Sequence, residues 1–140
     1  MDVDFRKEIM IEIAEKICKS WGLEKPPINF YGWFTLFDLD NESVYIEDDL
    51  LKEKDIKKVV FALIHEISHY VIYQAWKQKL LITDIMKHPH NTDFCIVLYT
   101  NIKTAGFSIQ SYLKNAIEYP IVKKILKEIE KENLKNKSEL

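Results

Sequence analysis

Apolar residues recur at helical spacing through most of the chain, and short stretches that forbid or end a helix separate these runs. From Asp4 to Trp21, Phe5, Ile9, Ile13, Ile17 and Trp21 recur every four residues, with Met10, Ala14 and Cys18 beside them. That is the spacing of one helical face. Asp2 or Asp4 is placed to cap this helix and Gly22 to end it. Pro26-Pro27 then excludes helix and opens an extended segment. Ile28–Leu39 (INFYGWFTLFDL) is aromatic-rich and β-prone, Asp40-Asn41 signals a turn, and Ser43–Glu47 (SVYIE) reads as a second strand. Together they predict a small antiparallel hairpin or meander, with Gly32 marking a bulge or a break into two strands.

Asp48–Lys54 is a polar lead-in to a long helix from about Asp55 to Lys79. Between Val59 and Val71 that helix is apolar almost all round, the pattern of an element buried centrally. Leu80–Lys87 is a connector without a clear pattern, and Pro89 makes a sharp break after His88. Asn91 caps a predicted helix over Thr92–Ala105, with Phe94, Val97, Leu98 and Ile102 on its apolar face and Gly106 as its stop. Ser108 caps another over Ile109–Tyr119, and Pro120 either kinks it or starts a new one. Ile121, Ile125 and Ile129, with Val122 and Leu126, continue an apolar stripe. From Glu128 to Leu140 the chain is mostly charge and Asn, a solvated helix end or frayed tail. The pattern predicts an α+β fold in which a small antiparallel or mixed sheet packs on one central helix, with further helices around it.

Composition narrows the classes. At 140 residues the chain suffices for one domain with a real core and hardly for two, so residues 1–140 are expected to form a single domain. With 47% hydrophobic and 30% charged residues it is ordinary for a soluble globular protein. A net charge of −2 gives no basic field for nucleic acid or a membrane surface. The charged start MDVDFRKE is not followed by an apolar run of signal-peptide type. The longest apolar run, Val59 to Trp76, is interrupted by His65, Glu66, Ser68, His69 and Gln74, so no membrane span is expected. Cys18 and Cys95 lie in apolar helical patterns and read as small core residues of a cytoplasmic protein, not as a disulfide framework. Oligomeric state is left open.

The central helix carries the chemistry. His65-Glu66-Ile67-Ser68-His69 is H-E-x-x-H, and residues four apart lie one turn apart on one helical face. Two imidazoles can therefore converge on one Zn2+, with Glu66 beside it as a base for water. The plain alternative is a helix that happens to carry two His, but unpaired His and Glu are costly in so apolar a segment. A third ligand must come from a segment that returns to the helix. His90 is favoured, because it follows a forced break and stands just before a helix cap. His88 is the rival, although its plainest reading is an exposed loop residue, and Glu118 is a more distant carboxylate candidate. Asp93 either reaches back to a ligand imidazole or simply complements the start of its helix. Tyr73, Tyr99, Tyr112 and Tyr119 are candidates to stabilise an oxyanion, each more simply read as packing. Ser43–Glu47 would pair with an extended peptide if it formed a sheet edge beside the cleft.

Followed by His90-Asn91-Thr92-Asp93-Phe94, the motif resembles the minimal zincin pattern of SprT-like metallopeptidase domains: H-E-x-x-H, a variable connector, then H-x-x-x-F opening a helix. The expected order of elements is similar too, and the resemblance covers roughly Asp4 to Ala105. Asn91 stands where that family commonly has Gly. The resemblance implies a minimal zincin fold, zinc held by His65, His69 and His90, Glu66 as catalytic base, and a peptide or protein substrate. Two other readings compete. One is a binding or regulatory module on the same fold, and the other a zinc hydrolase of a non-peptide amide.

Overall fold

Asp2 opens the first helix: its carboxylate accepts the Asp4 N–H at 3.1 Å, and α1 runs over Val3–Ser20. The computed structural model to which this helix belongs describes residues 2–80, 85 and 87–138. Most of the connector expected at Leu80–Lys87 lies outside the described residues, as does the end of the charged tail. The buried line of α1 is Arg6, Met10, Ala14, Ile17 and Cys18. The expected line led by Phe5 is therefore turned by one position, and Phe5 is exposed. Arg6 is the reason. Its stem lies in the core while its guanidinium donates to the carbonyls of Leu51, Glu53 and Lys54. An apolar-periodicity argument has no means of choosing a buried arginine.

Three short strands follow: β1 (Ile28–Asn29), β2 (Leu36–Asp38) and β3 (Ser43–Tyr45). Their order is β1-β3-β2, with β1 parallel and β2 antiparallel to β3. The β-prone stretch Ile28–Leu39 thus forms two strands, parted where Gly32 adopts a φ of 121°. Only β2 and β3 make the expected hairpin. β1 lies on the far flank, because the intervening loop carries the chain across β3. Turn residues encode the hairpin but not that crossing. With β3 in the middle, Ser43–Glu47 is not the edge strand proposed for substrate pairing. Among the described residues the sheet edge that packs on the central helix is β2.

A single-turn helix, α2 (Asp48–Leu51), replaces the expected polar lead-in and buries Leu50 and Leu51. α3 (Ile56–Lys77) is the axis: Asp55 caps it, and it packs on α1, α2, β2 and β3 as well as the next two helices. α4 (Thr92–Thr104) begins at Asn91, whose side chain accepts the Phe94 N–H at 2.9 Å. Fully buried Asn101 clasps three helices. Its amide donates to the Ser68 hydroxyl at 3.0 Å, and its carbonyl accepts the Trp21 indole N–H at 2.7 Å.

α5 (Ile109–Asn115), capped by Ser108, ends earlier than expected, because Ala116 is extended with ψ 143°. Pro120 disfavours helix in the residue before it and instead opens α6 (Pro120–Ser138). Val122 and Leu126 of α6 are fully buried. The result is an α+β fold, among the described residues six helices with a small mixed sheet. Among the described residues no helix is long and apolar enough to cross a membrane.

Candidate metal centre

Successive turns of α3 present His65 and His69, and their Nε2 atoms lie 3.1 Å apart. The break at Pro89 and the cap at Asn91 deliver His90 to the same point. Its Nε2 is 3.2 Å from that of His65 and 3.1 Å from that of His69. Among the described residues these three form the group able to hold a metal ion. His88 is exposed and outside the triad. Ligands about 2.0–2.1 Å from a tetrahedral zinc lie roughly 3.3–3.4 Å from one another, so the triad fits such an ion closely.

Glu118, weighed above as a ligand, has a different place. Its fully buried carboxylate accepts the His65 Nδ1–H at 2.7 Å and the Tyr112 hydroxyl at 2.6 Å. It also accepts the Tyr119 backbone N–H at 2.9 Å. Extended residues between α5 and α6 carry it behind His65, away from the Nε2 triad. Burial opposes its charge, but His65 and Tyr112 outweigh burial and hold the carboxyl below its ordinary value. Burial and Glu118 push the Tyr112 phenol well above its ordinary value, so it stays a donor. With the proton of His65 held at Nδ1, the Nε2 lone pair faces the site.

The other two rings are held neutral. Burial, then the neighbouring imidazoles, hold His69 well below its ordinary value, and burial and His65 lower His90. Burial also pulls on His65, but Glu118 overrides it and the net direction is upward. Phe94, fully buried, packs on all three. It stacks on His69 at 4.3 Å between ring centroids and sets its ring at a steep angle to His65 at 5.0 Å and His90 at 5.1 Å. Asp93, in the first turn of α4, complements that helix terminus and lines a separate groove with Trp21 and Val97. The carboxylate on an imidazole of the triad is Glu118.

Glu66 stands beside the triad without joining it, its Oε1 3.9 Å from His65 Nε2. Burial lifts its pKa to about 7, against the pull of His65 and of a hydrogen bond from the Phe37 backbone N–H. A cation at the triad would draw it back down. Two cavities meet at this point. One of about 320 Å³ is bounded by Leu36, Phe37, Ile72 and Pro89, and the other of about 380 Å³ by Glu47, Leu50, Ala62 and Ile117. Thr35, His65, Glu66 and Tyr119 line both.

Of the four tyrosines, Tyr119 lines this cleft, its ring centroid 4.6 Å from that of His90. Tyr112 is committed to Glu118, Tyr99 accepts from Asn133 on α6, and Tyr73 stacks on Trp76. Cys18 and Cys95 are free and buried, and burial pushes both thiols up to about 11. Sequence reasoning missed the tyrosine–glutamate pair behind His65. Its one signal was Tyr-Pro after Glu118, a forced break that turns the chain back to α3.

No family model, curated protein or solved structure matches the chain. The site is read from its own geometry and chemistry.

Proposed function

We propose that this chain is a zinc-dependent metallopeptidase of the SprT-like minimal zincin type, with His65, His69 and His90 as ligands and Glu66 as general base. The reading is carried by three Nε2 atoms within 3.2 Å of one another beside a buried carboxylate that is not one of them. A purely structural or regulatory site has no use for that carboxylate.

When bound, zinc supplies Lewis acidity, acidifying water and polarising a carbonyl. Glu66 takes a proton from the attacking water as the C–O bond forms. It returns that proton to the leaving amine as the C–N bond breaks. One water is consumed, and a carboxyl and an amine are released. Glu118 fixes the His65 tautomer through this cycle. Tyr119 is the candidate donor to the carbonyl oxygen as it gains charge. β2 is the sheet edge that borders the cleft, and an extended peptide pairing with it would take over the Phe37 N–H now given to Glu66. Two free buried thiols fit a cytoplasmic setting.

Zinc analysis and cleavage of an unfolded protein such as casein, with wild type and Glu66→Gln, test the reading. Both proteins should retain zinc, and cleavage by the variant should fall by roughly 10²–10⁴-fold. Full activity in Glu66→Gln, or a wild type that binds no zinc, would overturn it.

A further inference from the structure

The groove does not stop at the reacting centre. On one side of Glu66 it continues past Leu36 and Ile72, on the other past Leu50 and Ile117. Glu47 also lines a third cavity, of about 510 Å³, walled by Tyr31, Gly32 and Trp33 on one side and by the carboxylates of Glu47, Asp48 and Asp49 on the other. A cleft that trims chain ends closes just beyond the bond, with a charged group to meet the free terminus. Here no Lys or Arg among the described residues lines either central cavity, so no side chain is set to meet a terminal carboxylate. Glu118 is committed to His65 and Tyr112, and beyond Glu47 the groove runs on.

The loop at that far end is unusual in its own right. Trp33 is 89% exposed, Phe34 71% and Tyr31 67%, and Ile117 in the wall of the second cavity is 78% exposed. Exposed aromatics grouped along a groove that leads to a reacting centre mark a contact surface. The continuity with the cleft names its occupant. On the peptidase reading above, we infer that the groove takes an internal, extended, apolar segment of an unfolded polypeptide. Apolar side chains flank the cleaved bond on both sides, and Trp33 and Phe34 grip the segment beyond it. The activity is then that of an endopeptidase for stretches that folded proteins keep buried.

The test uses peptides of about ten residues blocked at both ends, alike except at the central pair, which is apolar or charged. Zinc-loaded protein should cleave the apolar ones internally and the charged ones at least roughly tenfold more slowly. Cleavage that needs a free terminus, or equal rates for charged pairs, would overturn the inference and leave the peptidase reading standing. Binding is read separately, by anisotropy of the dye-labelled apolar peptide on metal-free protein. The Trp33→Ala/Phe34→Ala variant changes only exposed side chains and should bind roughly tenfold or more weakly. Equal affinity, or no binding by the wild type, overturns the inference. Binding that depends on these aromatics without any cleavage by the zinc-loaded protein would sink the peptidase reading instead.

Discussion

Which nitrogen of His65 faces the site depends on Glu118. A neutral imidazole has one proton, and the buried carboxylate 2.7 Å from Nδ1 keeps it there. Glu118→Gln weakens that hold and leaves Tyr112 donating to a neutral partner. Its zinc affinity, measured by competition with a chelator, should fall about 10–100-fold, while His88→Ala should leave affinity unchanged. An unaltered affinity in Glu118→Gln would show that the tautomer is set by something else. At this scale the sequence is readable where chemistry is local. His65 and His69 sit four apart on one helix, so their convergence follows from helix geometry alone. The Glu118 contact joins residues 53 apart, and no spacing rule reaches that far. His90 lies between these cases: the Pro89 break and the Asn91 cap point to it, but only the packing of α4 on α3 brings its nitrogen within 3.2 Å.

The longer helices were legible as elements from their apolar period, helped by the caps Asn91 before α4 and Ser108 before α5, whereas the single turn of α2 was too short to register. The sheet was less so. Its strands are two or three residues long, too short for alternation to register, and the partner of β1 is chosen by a crossover. That choice made β2 the edge beside the cleft. The face of α1 was misread for a different reason, since Arg6 replaces an apolar residue in its buried line. The α3–α4 pairing is where an element-scale change reaches the site. Phe94 fills the space between the two helices and touches all three imidazoles. Phe94→Ala should cost the metal-free protein about 3–5 kcal/mol, read from urea unfolding. A loss below about 1 kcal/mol would show that the ring is not held as described. Zinc affinity should fall with it, because the emptied space lets the rings turn.

Across the whole molecule the proposed metal centre would be a cross-link as well as a reaction site. It ties the central helix to the start of α4, two segments that the chain otherwise joins through Leu80–Lys87. An ion that binds only the folded protein stabilises it by about 4 kcal/mol at a thousandfold excess over its dissociation constant. Thermal unfolding in excess zinc should therefore lie well above unfolding in chelator, and His69→Ala should remove the difference. Identical curves for the wild type would contradict a site formed by folding. The α+β class was legible from the mix of helical runs and β-prone stretches. The groove was not, because it needs the strand order and the path of the chain between α5 and α6. The central claim is that three Nε2 atoms share one ion, and its most direct test is anomalous diffraction at the zinc edge from crystals of zinc-loaded protein. A single peak is expected about 2.0–2.1 Å from Nε2 of His65, His69 and His90. A peak that pairs two of these with a Glu118 oxygen, or no peak among them, would contradict it.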